Sequence, residues 1–416
     1  MSKTSYPKNK INVVLVENIH PRAVEMFEAE GFRVQTMAAA PDAKKLASLV
    51  GEAHVLGIRS KSEVTPEILK AAPKLLTVGC FCIGTNQVAL REACLRGVSV
   101  FNSPFSNTRS VAELTIGETI ALHRGLGDKT MQMHRGEWDK SAAGSHEVRG
   151  RTIGIVGYGH IGSQVSVLAE AMGMRVVFFD ILPKMALGNA RAVRSLRELL
   201  EVSDVVTLHV PATASTKNMI GKAEIARMKK GSFLINNARG SVVDVHATAA
   251  ALKSGHLAGA ALDVFPDEPA GKGDRFESPL QGLPNVLLTP HVGGSTEEAQ
   301  EAIAEDVCDK LIKFVNVGGT TGAVNVPEVE LPEQSRPGED KAKRPHRILH
   351  FHKNVPGVLS KMHNLISGMN ANVTAEYLRT NEDIGYVVLD VDPTDGAAIR
   401  KKLAEVPETI RVRMLW

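Results

Sequence analysis

Cysteine is scarce in this chain, four among 416 residues, and no two of them form a Cys-x-x-Cys pair. Cys80 and Cys82 sit inside an apolar stretch, while Cys94 and Cys308 stand alone. This usage argues against a disulfide framework or a cysteine-built metal site, so reduced thiols in a cytoplasmic core are expected. An excess of one charge is also missing. The 49 Lys and Arg residues face 46 Asp and Glu, for a net charge of only +3, and the basic residues form no block. The electrostatic footprint of a nucleic-acid binder is therefore absent. No apolar run approaches the roughly 18 residues of a spanning helix, and the opening MSKTSYPKNK has no apolar core of an export signal. Neither export nor membrane insertion is expected, and the 43% hydrophobic content is that of an ordinary globular chain of two or three domains.

What the sequence does have is a succession of short apolar runs. They include INVVLV from Ile11, VLGI from Val55, LLTVGC from Leu75, TIGIVG from Thr152, VVFFD from Val176, VVTLHV from Val205, FLINN from Phe233, ALDVF from Ala261 and NVLLTP from Asn285. Helix-length segments lie between many of them. Continuous apolar strands alternating with helices predict α/β architecture, with parallel sheets covered on both faces. The long helix NTRSVAELTIGETIALHRG opens a second unit, with Asn107 or Thr108 as its expected cap. The run after His291 leads back toward the first. The expected domains are 1–106 with 297–326, then 107–296, then a proline- and charge-rich linker over 327–345, and a final block over 346–416. That block reads βαββαβ, a ferredoxin-like order.

Gly157-Tyr-Gly159-His-Ile-Gly162 follows directly on the run from Thr152 and opens a helical segment. In that context the three glycines permit a tight turn, backbone approach to a pyrophosphate and helix–strand packing, with the helix N-terminus supplying partial positive charge. Asp180 ends the next strand, where a carboxylate can take the ribose hydroxyls and repel a 2′-phosphate, which predicts NAD over NADP.

Arg239, Glu268 and His291 follow successive apolar runs, at the strand ends where open α/β sheets bind ligands. Oxidation of a 2-hydroxy acid needs a base for the hydroxyl proton, a carboxylate to orient that base and a cation for the substrate carboxylate. His291, Glu268 and Arg239 have the chemistry for those three roles. Taken singly, each could equally be a structural or surface residue.

The ordered motifs GYGHIGSQ, SDVVTLHVPATASTKNMIG from Ser203, NNARGSVVD from Asn236, ALDVFPDEP from Ala261 and TPHVGGSTEEAQ from Thr289 together resemble the D-2-hydroxyacid dehydrogenase family. The resemblance extends to GCFCIGTNQVAL from Gly79 and FNSPFSNTRSVAEL from Phe101. It implies a flavodoxin-like substrate domain, a Rossmann NAD domain, and a C-terminal domain that resembles the amino-acid-binding ACT module. It implies catalytic roles for Arg239, Glu268 and His291. Cofactor contacts are implied for Gly157, Gly159, His160, Ile161, Gly162, Asp180, His209, Asn237, Ala238, Arg239, Asp263, His291, Gly293 and Gly294.

The same resemblance implies substrate contacts from Arg59, Ser60, Asn107 and Lys140. A basic pair such as Arg59 and Lys140 suits a phosphorylated hydroxy acid, and the implied substrate is 3-phosphoglycerate, with 2-oxoglutarate reduced as a side reaction. In the final block Asn354, Gly357 and Asn372 are expected to hold L-serine as a feedback inhibitor. The resemblance further implies a homotetramer. The charged linker departs from the expected pattern and predicts weak mechanical coupling between the final block and the rest. Three other readings stay open on sequence: reduction of an unphosphorylated keto acid, a dinucleotide-sensing binding protein on the same fold, and a C-terminal block that acts as a free-standing amino-acid sensor.

Overall fold

The computed structural model describes residues 6–269, 273–332, 345–393 and 395–415. Two compact units emerge, Met1–Ser106 with Gln300–Trp416, and Asn107–Ala299.

The first unit is built on a five-stranded parallel sheet of β1 (Asn12–Leu15), β2 (Arg33–Thr36), β3 (Val55–Ile58), β4 (Thr77–Cys80) and β5 (Ser99–Asn102). Its order, β2-β1-β3-β4-β5, is that of a flavodoxin-like doubly wound sheet. The interior strands VLGI and TVGC and the edge strand SVFN are buried throughout, because helices cover both faces. After the helix Glu297–Val317 the chain returns to the β5 edge, where Val324 N–H donates to the Val100 carbonyl.

The second unit carries seven parallel strands: β6 (Thr152–Val156), β7 (Arg175–Phe179), β8 (Arg191–Ala192), β9 (Val205–Leu208), β10 (Ser232–Asn236), β11 (Leu257–Leu262) and β12 (Val286–Leu288). The order β12-β11-β10-β9-β6-β7-β8 is Rossmann-like, with the chain reversing direction of travel between β6 and β9. The helix Thr108–Arg124 precedes this sheet. Asn107 occupies its N-cap position but makes no side-chain capping bond, contrary to the capping expectation.

The C-terminal block is an antiparallel sheet of β13 (His346–Lys353), β14 (Val373–Thr380), β15 (Ile384–Val391) and β16 (Thr409–Leu415), in the order β14-β15-β13-β16. Two helices, Val358–Ser367 and Gly396–Ala404, bury one face against Ile348, Val387 and Leu389. The alternation of β13 sends Leu349 and Phe351 to the other face. There they share a core with Phe101, Leu311, Phe314 and Tyr386, so this block is part of the first unit and not a body on a tether.

The linker reading also needs correction where it falls on described residues. Val329 is buried, and its N–H donates to Thr320 Oγ1 at 2.7 Å, while Glu330 pairs with Lys313 at 2.5 Å. Residues 333–344 of the expected linker lie outside the described residues. The anchoring residue is Arg347, fully buried on β13. It grips both carboxylate oxygens of Asp390 at 2.7 and 2.8 Å and donates to the carbonyls of Leu331 and Pro332 at 2.8 Å each. A helix leaves its last four carbonyls without intrahelical partners. At the end of Glu297–Val317 the C-terminal block meets that need. Arg413 donates to Val315 O at 2.6 Å, Arg347 to Val317 O at 3.3 Å, and the Tyr386 hydroxyl to Gly318 O at 2.7 Å. Burial lowers the Arg413 pKa to about 10, which leaves it charged at neutral pH.

Candidate active site

The fingerprint glycines act as their positions require. Gly157, at φ +91°, ends β6, and a side chain there would collide with the carbonyl of His209 at the end of β9. Gly162 presses the helix His160–Ala171 onto Ile155 and the Gly157 carbonyl, whereas Gly159, at the helix N-cap, has open space before it. His160 and Ile161 form the first turn behind it. Asp180 closes the turn, taking N–H bonds from Tyr158 and Leu182 at 2.8 and 2.9 Å. His209 bonds Thr207 Oγ1 through Nε2 at 3.0 Å, and its Nδ1 is buried without a partner. Burial pushes this imidazole down to about 3, so it is neutral at physiological pH. Open space before Gly159 at a helix start, a carboxylate at the next strand end and a buried imidazole whose Nδ1 has no partner fit a dinucleotide.

Arg239, Glu268 and His291 follow β10, β11 and β12, three neighbouring strands. Gly240 has no room for a side chain because the Phe265 carbonyl lies against it, so the segment bearing Arg239 abuts the Phe265–Glu268 turn. Glu268 Oε1 accepts from the Phe265 N–H at 3.1 Å, and Oε2 meets His291 Nδ1 at 2.9 Å. This pairing makes Nδ1 the protonated nitrogen and leaves Nε2 as the free base. Arg239 donates from Nη1 to the Ala238 carbonyl at 2.7 Å, and its own carbonyl accepts from Asn236 Nδ2 at 3.0 Å.

His291 itself has a left-handed backbone, φ +56°, uncommon for a residue with a side chain. Asp263 holds the loop that imposes it. Its buried carboxylate accepts from Thr289 Oγ1 at 2.6 Å, Val292 N at 2.8 Å and Gly293 N at 2.7 Å. The resemblance implied a cofactor contact for Asp263, and the structure engages both its oxygens in bracing the loop that carries His291. Gly294 packs closely on the Asn107 amide, whose Oδ1 is buried without a partner.

Sequence reasoning missed the support beneath Asn237. Its amide donates to Glu118 Oε2 at 2.7 Å and Thr115 Oγ1 at 3.1 Å, both on the helix Thr108–Arg124. Spacing of three along an inward helix face was the available signal. Burial, with a smaller contribution from Asp263, raises the Glu118 pKa to about 7. A raised folded-state value means that stability from this group is full below about 4.5 and is lost as pH climbs through 7. Glu118→Gln should therefore flatten the melting temperature between pH 5 and 8. An unchanged slope in thermal scans would contradict this.

Other expected residues lie apart from these bonds. Lys140 is exposed in the irregular stretch after the helix Leu126–His134, outside the network just described. Arg59 and Ser60 belong to the first unit, on the loop after β3, half-buried and exposed respectively. In the C-terminal block Asn354 Nδ2 donates to the Asn381 carbonyl at 2.7 Å, Gly357 starts a helix at φ +90°, and the Asn372 carbonyl accepts from Asp392 N–H at 3.0 Å. Among the described residues there is no metal-binding cluster, and no helix is long and apolar enough to cross a membrane.

A Rossmann sheet with this arginine, glutamate and histidine at adjacent strand ends defines an NAD-dependent dehydrogenase. Residues 116–293 match the family described as D-isomer specific 2-hydroxyacid dehydrogenase, NAD binding domain, and residues 348–411 match an AHAS small subunit-like ACT domain. The chain belongs to the D-isomer specific 2-hydroxyacid dehydrogenase family. It is 50% identical over 99% of both chains to D-3-phosphoglycerate dehydrogenase of Dictyostelium discoideum, and 50% identical over the full length of both to that of Haemophilus influenzae. Among solved structures it is similar to the D-lactate dehydrogenase of Aquifex aeolicus complexed with NAD and lactic acid. That similarity has a TM-score of 0.66 at 27% identity and covers 76% of this chain and all of the other.

Proposed function

We propose that the enzyme oxidises 3-phospho-D-glycerate to 3-phosphohydroxypyruvate, the entry step of L-serine synthesis in the cytoplasm. The observation that carries this reading is the half-identity to enzymes named for that substrate, sustained from end to end. NAD, when bound at Gly159, His160, Asp180 and His209, supplies the hydride acceptor. Arg239 holds the substrate carboxylate and favours the developing carbonyl. His291 Nε2 takes the hydroxyl proton as C2 loses its hydride, and Glu268 stabilises the imidazolium that results. In the reverse direction the same imidazolium returns the proton to the carbonyl oxygen.

The ACT-like block supports feedback control by L-serine through Asn354, Gly357 and Asn372, and a homotetramer joined in part through this block. Slow reduction of 2-oxoglutarate fits the same trio, because both keto acids present a carboxylate beside a carbonyl. The test is NADH oxidation with 3-phosphohydroxypyruvate, with and without serine. Arg59→Gln should raise KM for that substrate by about 10- to 100-fold, the worth of one charge-assisted pair, and leave an unphosphorylated keto acid nearly unaffected. Equal losses on both substrates would remove the phosphate role.

A further inference from the structure

The loop after β3 is held in an unusual way. Glu17, two residues beyond β1, is buried, and its carboxylate accepts three backbone N–H bonds from that loop. Oε1 takes Arg59 N at 3.1 Å and Ser62 N at 2.8 Å, and Oε2 takes Lys61 N at 2.9 Å. Near-successive N–H groups in a turn form a concavity that binds anions. Here the chain fills that concavity with its own carboxylate. Glu17 and Asn18 both have left-handed backbones, at φ +66° and +51°, a conformation costly for residues with side chains. Gln87 Nε2 also donates to the Arg59 carbonyl, at 2.6 Å. Both polar groups of the Arg59 peptide backbone are thus fixed by side chains from other segments. With the amides of Arg59, Lys61 and Ser62 taken by Glu17, a cationic group that remains to the loop near this clamp is the side chain of Arg59, a half-buried residue.

We propose that Glu17 is a positioning residue for recognition of the substrate's phosphate. By clamping the amides of Arg59, Lys61 and Ser62 it sets where the Arg59 side chain begins. This inference rests on the phosphorylated substrate proposed above. A carboxylate is required, because an amide side chain would present a donor to at least one of the three N–H groups.

The experiment compares wild type, Glu17→Gln, Glu17→Asp and Gln87→Leu on 3-phosphohydroxypyruvate and on hydroxypyruvate, with NADH affinity measured separately by fluorescence. For Glu17→Gln we expect KM for the phosphorylated substrate to rise about tenfold while kcat stays within about twofold, the pattern of lost binding that is equal in ground and transition states. KM for hydroxypyruvate and the NADH dissociation constant should hardly move. Glu17→Asp, which keeps the charge, should recover part of the loss, and Gln87→Leu should show a smaller rise of the same selectivity. An equal KM rise on both substrates, or an unchanged KM, overturns the proposal. If Glu17→Gln does not fold, Gln87→Leu decides by the same criterion. A wild type inert toward 3-phosphohydroxypyruvate but active on hydroxypyruvate sinks the substrate reading and this inference with it, whereas an active wild type with unselective variants sinks the inference alone.

Discussion

His291→Ala lowers kcat by about 10²- to 10⁴-fold, the usual worth of a positioned general base, while the dissociation constant for NAD stays close to wild type. The loss falls mainly on chemistry because most residues that would cradle the dinucleotide sit on other segments, at Gly157–Gly162, Asp180 and His209. Glu268→Gln keeps a side chain of the same size beside His291 Nδ1, now 2.9 Å from the carboxylate, but removes the charge that favours the imidazolium. It should cost less than His291→Ala. Steady-state kinetics on both variants read the two losses. A Glu268→Gln kcat equal to that of wild type would show that the carboxylate does not act on the base.

Arg347→Met should destabilise the first unit by about 3–5 kcal/mol, since removing one partner leaves Asp390 as an uncompensated buried charge. The carbonyls of Leu331, Pro332 and Val317 lose a donor at the same time. Replacing both partners, Arg347→Met with Asp390→Leu, should recover much of that loss, because an apolar pair no longer needs solvation. Urea unfolding followed by circular dichroism gives the comparison. A double variant as unstable as the single one would mean that the carbonyl contacts, and not the ion pair, carry the effect.

The sheets were legible because their interior strands are continuous apolar runs bounded by turns, as in VLGI at β3 and TIGIV at β6. β2 was not, since RVQT lies at a sheet edge, is mostly exposed and carries no apolar period. Arg239, Glu268 and His291 could be picked out as candidates because each follows an apolar run. Glu118, Asp263 and Glu17 work through buried hydrogen bonds to residues distant in sequence, and no local pattern marks a carboxylate that braces a backbone. The docking of the C-terminal block was hidden for a related reason. Arginines in strands such as RILHFHK and TIRVRML read as solvent-facing alternation, yet Arg347 and Arg413 point into the protein and end on carbonyls. The tether misled because proline and charge mask the burial of Val329.

The capping of Glu297–Val317 by Arg347, Tyr386 and Arg413 bears on how such an enzyme can be taken apart. A fragment ending at Pro332 would keep the whole helix but lose every one of these donors, and would bare the apolar surface of Leu311 and Phe314 that now meets Leu349 and Phe351. A module that looks appended in the sequence has become part of the scaffold it joined, so grafting a different C-terminal domain onto this chain means transplanting three side chains along with the fold.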